Sequence, residues 1–509
     1  MKIVWLLLIF GFSQVNCDFL SRKDPVASGH KVFSNCGNNG SYHWQEEFLE
    51  NVPIDHFSFA DDRSFKLRYF INLEHYEAGG PILFYTGNEG NLESFAENTG
   101  FMFDIAPQFK AAVVFAEHRF YGGTKPFGNS SYSTVKNLGY LSSEQALGDF
   151  VLVINYLKSV RIPNGANSPV IAFGGSYGGM LAAWIRIKYP HLVQGAIASS
   201  APVFWFRNAN VRPDSFGYIT TRTFKSSGCS VKKIASAFKF LDEYAKTEQG
   251  RLYLNKVFSL DPKSLINNTD DVKKLKAFLA DTMKTMAMVD YPYPANFLAP
   301  LPAWPVKHVC RKNNRTNKTH KKGNVEILID VLQTFYNYTG EKKSFCFDTD
   351  KCPDPFSQLG DPLGWPWQAC TEMVMPQCDS GLPNDVFAPD CPFNVEKYIN
   401  ETCQKVFGSL GYNASLTRPD WIIQDYGGRF PAASNIVFSN GKLDPWSGGG
   451  WRNVTTREGS LVSIILEQGA HHYDLRGCNQ DDTEEVKKVR QQEIDEIQRW
   501  IKEFRHNRL

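Results

Sequence analysis

Gly174-Gly175-Ser176-Tyr177-Gly178-Gly179 sets one serine inside a run of glycines. An apolar run, Val170-Ile171-Ala172, precedes it, and a helical pattern, Leu181-Ala182-Ala183-Trp184-Ile185, follows. Strand, Gly-x-Ser-x-Gly and helix in that order form a nucleophile elbow, the sharp turn that exposes the serine of a serine hydrolase. Glycines suit such a turn because a Cβ would collide with nearby backbone. The helix start offers free N–H groups and a partial positive charge to a developing oxyanion.

A serine hydroxyl needs a base within hydrogen-bond reach. Two later segments supply candidates. Asp444 lies in Asn440-Gly441-Lys442-Leu443-Asp444-Pro445-Trp446, just past the apolar run Ile436-Val437-Phe438. His471 lies in Gln468-Gly469-Ala470-His471-His472-Tyr473, just past Leu461 to Leu466. Ligands and catalytic groups of open α/β sheets gather at such strand ends. The order Ser176, Asp444, His471 is that of an α/β-hydrolase triad. In that scheme His471 takes the serine proton and returns it to the leaving group. Asp444 holds the imidazole tautomer and stabilises the imidazolium. The backbone N–H of Tyr177 is the first oxyanion donor expected, and the loop holding Gly87 and Asn88 should give the second.

His472 rivals His471. If the segment is extended, neighbouring side chains point to opposite faces, so only one ring would face Ser176. Spacing alone leaves the choice open. His472 and Arg476 are nearby cations expected to lower the pKa of His471 by like-charge repulsion.

The elements that must position these groups are legible. Phe65 to Ile71, Pro81 to Tyr85, Ala111 to Phe115 and Leu192 to Ala198 read as strands, mostly the apolar kind covered on both faces. Ser142 and Gln145 have capping-box spacing and open a helix. Strands alternating with helices predict a mostly parallel sheet. The signal peptide is placed at 1–17, and the α/β-hydrolase fold at 45–205 and 431–509. Residues 206–430 show helical stretches, cysteines and Pro/Trp-rich loops, and are read as one large helical insertion over the site. A closing amphipathic helix is predicted for Glu484 to Phe504. Val486, Val489, Ile494, Ile497, Trp500, Ile501 and Phe504 share its inner face.

Composition bounds the function. The chain has 509 residues, 42% hydrophobic, with 55 basic and 53 acidic residues. That balance gives no reason to expect a nucleic-acid or membrane partner. The basic stretch Lys307 to Lys322 reads as a solvated loop. Met1-Lys2, an apolar run and Val15-Asn16-Cys17 read as a secretory signal, cleaved after Cys17. Removing Cys17 from the 11 cysteines leaves an even set of 10, suited to disulfides in an oxidising compartment. Their spacing is not that of a metal site. Glycosylation sequons stand at Asn39, Asn129, Asn267, Asn314, Asn317, Asn337, Asn400, Asn413 and Asn453. A lysosomal or secreted protein is expected.

Five segments together resemble one family: Tyr85-Thr86-Gly87-Asn88-Glu89-Gly90, Glu117-His118-Arg119-Phe120-Tyr121-Gly122, the Ser176 elbow through Met180, Asn440 to Trp446, and Gly469-Ala470-His471-His472. They are similar to the proline-specific serine exopeptidases, the family of lysosomal Pro-X carboxypeptidase, dipeptidyl peptidase II and thymus-specific serine protease. The resemblance runs from about residue 45 to about 476. It implies an α/β-hydrolase domain with a helical, disulfide-linked cap, and cleavage beside proline without a cofactor or metal. It favours His471 as base. It carries the proline pocket onto Met180, Met375 and Trp446, whose thioethers and indole can hold a pyrrolidine ring by dispersion. Glu89 is a candidate for binding a substrate ammonium. Cys370 to Cys378 and Asn98 to Met102 look closer to the carboxypeptidase branch, so release of a C-terminal residue after proline is expected. Dipeptidyl release, an esterase and a catalytically dead binding module are the alternatives. Proline-containing peptides are the implied partners, and a homodimer stays open. Lys442 and the sequon-rich stretch near 310–340 depart from the family pattern.

Overall fold

The computed structural model describes residues 42–209, 211–315, 325–348, 351–352, 361–428, 433–450 and 460–507. The signal segment 1–17 and Asn39, Asn317 and Asn453 lie outside them, as does the side chain of Asn314.

Eight strands form one sheet: β1 (Gln45–Pro53), β2 (Ser64–Asn72), β3 (Ile82–Thr86), β4 (Ala112–Ala116), β5 (Val170–Gly175), β6 (Gly195–Ser199), β7 (Ile436–Gly441) and β8 (Leu461–Leu466). Their spatial order is β1-β2-β4-β3-β5-β6-β7-β8. The pairs β1–β2 and β2–β4 are antiparallel, and every pair from β4 to β8 is parallel. Every residue of β3 to β7 is buried, which is why those segments read as unbroken apolar runs. The fold is the expected α/β hydrolase. Because β3 to β8 run one way, the ends of β3, β5, β7 and β8 open on one edge of the sheet.

The Leu92–Asn98 and Phe101–Phe109 helices join β3 to β4, and the Ser143–Tyr156 helix precedes β5. Ser142 caps that last helix by accepting from the Gln145 N–H at 3.3 Å. The reciprocal half of the expected capping box is missing. The Gln145 side chain instead donates to Asp55 at 2.7 Å and accepts from the His56 N–H at 3.0 Å. A tertiary partner has outcompeted the local one. The closing helix is Glu484–His506. It buries Val486, Val489, Ile494, Ile497, Trp500 and Ile501, and the Trp500 indole packs where a Cβ on Gly195 of β6 would stand. Phe504 is only half-buried, under the Lys158 ammonium.

Between β6 and β7 the described residues contribute helices and no strand of the sheet. The Ser215–Ser226, Thr269–Met288 and Gly364–Thr371 helices matter for the site. Four disulfides staple this insertion: Cys229–Cys310, Cys346–Cys352, Cys370–Cys403 and Cys378–Cys391. Cys378 and Cys391 stand beside Asp390 in a grouping a metal could use, but the disulfide consumes both sulfurs. Among the described residues no helix is long and apolar enough to cross a membrane. Of the described sequons, Asn129, Asn267, Asn400 and Asn413 are exposed. The Asn337 amide is spent on Gln333 and on the Lys342 carbonyl.

Candidate active site

The chain leaves β5, turns at Ser176 and enters the Tyr177–Lys188 helix at once. The turn forces Ser176 to φ +58°, ψ −126°, a conformation that costs a non-glycine residue energy and marks functional turns. The two residues before it have no room for a side chain. A Cβ on Gly174 would stand 2.1 Å from the Gly178 carbonyl oxygen, and one on Gly175 would stand 2.8 Å from the His472 ring.

The elbow is held from β3. Asn88 donates from Nδ2 to the Gly175 carbonyl at 2.7 Å and accepts at Oδ1 from the Tyr85 hydroxyl at 2.7 Å. Thr86 donates to the Gly178 carbonyl at 2.7 Å. The Asn88 side chain is therefore a brace. Tyr177 is the first helical residue, where no intrahelical acceptor exists for its N–H. That N–H is available to an oxyanion beside Ser176. Gly87 does not line the cavity, whereas Asn88 and Glu89 do.

Asp444 and His471 arrive from β7 and β8. His471 Nδ1 stands 2.7 Å from Asp444 Oδ2, with the histidine 3% and the aspartate 0% exposed. The other carboxylate oxygen accepts from the Trp446 N–H at 3.0 Å. A carboxylate only accepts, so Nδ1 carries the proton and Nε2 keeps its lone pair. The His471 backbone is pinned by the insertion. Its N–H donates to the Met288 carbonyl and its carbonyl accepts from the Tyr291 hydroxyl, both at 2.8 Å.

His472 departs from the expected alternation. It sits at φ +36°, so the segment is not extended there, and both rings line the cavity with centroids 4.5 Å apart. Only His471 meets Asp444. His472 packs on Phe297 and against Gly175, and its N–H donates to the Ser200 hydroxyl at 2.8 Å. Burial first, then His471 and Arg476, drives its pKa well below the ordinary value. His472 is thus neutral, and the expected charge repulsion from it is corrected: burial removes the charge. Arg476 stacks on the Tyr291 ring at 4.4 Å and so backs the residue that holds His471.

These groups open onto one cavity of about 380 Å³. Met180, Met375 and Trp446 line it, as do Phe216 and Trp365, which carried no signal in the sequence. Phe216 lies edge-on to Trp446 at 5.0 Å, and Trp365 lies 5.4 Å from Tyr177. The result is an apolar slot beside the serine. Glu89 also lines it, and burial pushes its carboxyl up toward the neutral form.

A buried polar network supports Tyr177 from behind. His118 Nδ1 stands 2.7 Å from the Arg119 carbonyl, which can only accept, so Nε2 accepts from the Tyr177 hydroxyl at 3.0 Å. Burial lowers the His118 pKa to about 4, which keeps that arrangement neutral. Gln368 of the insertion donates to the same hydroxyl at 2.9 Å and to Glu372 at 3.1 Å. Glu372 in turn accepts from the Ser143 N–H and hydroxyl at 2.8 and 2.9 Å.

Two buried acids set a pH dependence of stability. Burial raises Glu372 from 4.5 to about 7 and Asp290, bonded to the Val306 N–H, from 3.8 to about 7. A raised acid binds more protons folded than unfolded between its two pKa values, so stability falls as pH rises through that window. The protein should therefore melt higher at about pH 5 than at about pH 7.5, by an amount on the order of a few kcal/mol in stability. Melting curves of Glu372→Gln and Asp290→Asn should show that gap narrowed. An unchanged gap in both would contradict the assignment.

The geometry defines a class, and the comparisons place the chain in it. The family model described as serine carboxypeptidase S28 matches residues 52–493. The chain belongs to that family and is a serine peptidase. It is 52% identical to prolyl carboxy peptidase like protein 5 of Caenorhabditis elegans, covering 99% of each chain. It is 45% identical to the lysosomal Pro-X carboxypeptidase of Bos taurus, over 89% of this chain and 87% of that one. Identity to the thymus-specific serine protease of Mus musculus is 27%, over 89% and 87%.

Proposed function

We propose that the chain is a Pro-X carboxypeptidase in which Ser176 attacks the carbonyl of a proline near the peptide's C-terminus. His471 Nε2 takes the serine proton, and Asp444 holds the ring and stabilises the imidazolium. The Tyr177 N–H stabilises the tetrahedral oxyanion. Collapse releases the C-terminal residue, protonated by His471, and leaves an acyl-enzyme that water hydrolyses. The observation that carries this reading is the buried 2.7 Å His471–Asp444 pair opening, with Ser176, on a slot walled by Met180, Phe216, Met375 and Trp446. A pyrrolidine ring is small and apolar, and it fits walls that offer dispersion rather than hydrogen bonds.

Residues 45–205 and 431–509 then act as the hydrolase body, and 206–430 as the cap that completes the proline slot through Phe216 and Met375. The relatives' names support lysosomal or secreted placement. The exposed sequons at Asn129, Asn267, Asn400 and Asn413 are the proposed glycan sites.

Dipeptidyl release is the second reading, because Glu89 offers the cavity a carboxyl. Burial raises its pKa and so disfavours the charged form that an ammonium anchor would need. The test compares a C-terminally free Pro-X peptide with an N-terminally free X-Pro amide. Loss of one C-terminal residue from the first, read by mass, is expected. Cleavage of the second alone would overturn the reading.

A further inference from the structure

A carboxypeptidase must tell a chain end from a mid-chain residue, and the physical mark of that end is a carboxylate. Among the described residues that line the cavity, Lys284 is the one lysine or arginine. We propose that Lys284 is the subsite that binds the terminal carboxylate of the departing residue. The proposal rests on the carboxypeptidase reading and extends it from reaction to substrate selection.

Position carries the argument. The Thr269–Met288 helix turns Asp281, Lys284, Thr285 and Met288 toward the cavity, a spacing of three and four residues that marks one helix face. The inner end of that stripe touches the base, since the Met288 carbonyl accepts the His471 N–H at 2.8 Å. His471 must return its proton to the leaving amine, so that nitrogen sits within hydrogen-bond reach of the ring. In a single-residue leaving group the carboxylate carbon follows the amine by two bonds, about 2.5 Å. The carboxylate is therefore confined to the wall around His471, of which this helix is one part. Lys284 stands one turn out from Met288, about 6 Å along the axis, and a lysine stem spans a comparable length. The proline slot, with Met180 and Trp446, serves the other side of the scissile bond.

The ammonium is held in place at the edge of that wall, by groups that do not themselves line the cavity. Asp379 Oδ2 holds Lys284 Nζ at 2.9 Å, and the Lys284 side chain is 21% exposed. The ammonium also lies 5.0 Å from the Phe387 ring centre. An ammonium has three donors, so one partner on Asp379 fixes its position without exhausting it.

The test uses one peptide ending in Pro-X, prepared as free acid and as C-terminal amide, with the full-length enzyme. The wild type should prefer the acid. In Lys284→Met the acid-to-amide ratio of kcat/KM should fall by about 10- to 100-fold, the size of a lost charge-assisted hydrogen bond, and Lys284→Arg should restore most of it. Melting temperature monitors folding, and the ratio is insensitive to the fraction of enzyme folded. A Lys284→Met ratio equal to the wild-type ratio would overturn the proposal, even if both rates fell. Should the wild type cut neither substrate but release X-Pro from a free N-terminus, the carboxypeptidase reading itself fails, and that result is distinct from a fixed ratio.

Discussion

Ser176→Ala is expected to abolish peptide hydrolysis and leave the fold standing. Ser176 is half-buried and lines the cavity rather than packing in the core, so removing its hydroxyl opens no buried void. The backbone there depends on the brace from Asn88 and Thr86 and on the close glycine contacts, none of which the substitution touches. Turnover should fall by about 10⁴- to 10⁶-fold, the cost of losing a nucleophile from an assembled triad. The residue left would come from the oxyanion site and binding alone. Steady-state rates on a prolyl peptide measure the loss, and a melting temperature close to the wild type shows that folding survives. Retained hydrolysis in a purified Ser176→Ala protein would remove Ser176 from the chemistry.

Asp444→Asn should cost nearly as much for a subtler reason. Both oxygens of Asp444 accept, one from His471 Nδ1 and one from the Trp446 N–H. An asparagine can keep the Trp446 bond with its carbonyl oxygen, but it then presents an NH₂ group to Nδ1. Nδ1 must become the acceptor, and the proton moves to Nε2, where the serine proton should go. The expected loss in kcat is about 10⁴-fold with little change in KM, because tautomer and not pocket shape is altered. A large KM effect with near-normal kcat would show that Asp444 shapes the slot through Trp446 instead of orienting His471.

The strands β3 to β7 were legible because burial on both faces leaves an apolar run with sharp ends, β2 because it alternates, and β8 because its run stays apolar even at the sheet edge. β1, Gln-Glu-Glu-Phe-Leu-Glu-Asn-Val-Pro, was not, since an edge strand exposes most of its residues and reads as polar. The reacting groups were legible because chemistry confines them to strand ends: Ser176, Asp444 and His471 sit just past β5, β7 and β8. Residues contributed to the cavity from a distance gave no signal. Phe216 and Lys284 look like ordinary positions on amphipathic helices until the insertion folds over the sheet. His472 was misjudged through one dihedral, since a left-handed residue breaks the alternation on which the reading relied. Arg476 was legible as a cation near His471, but its stacking on Tyr291 was not.

The central claim is that Ser176 is made nucleophilic by His471 and Asp444 in the folded protein. A fluorophosphonate probe tests it directly, because the probe bonds only to a serine whose base is in place. Peptide mass mapping after labelling should find one adduct, on Ser176, abolished in His471→Ala and strongly slowed in Asp444→Asn. Folded wild-type protein that gains no adduct, or gains it on another residue, would contradict the account.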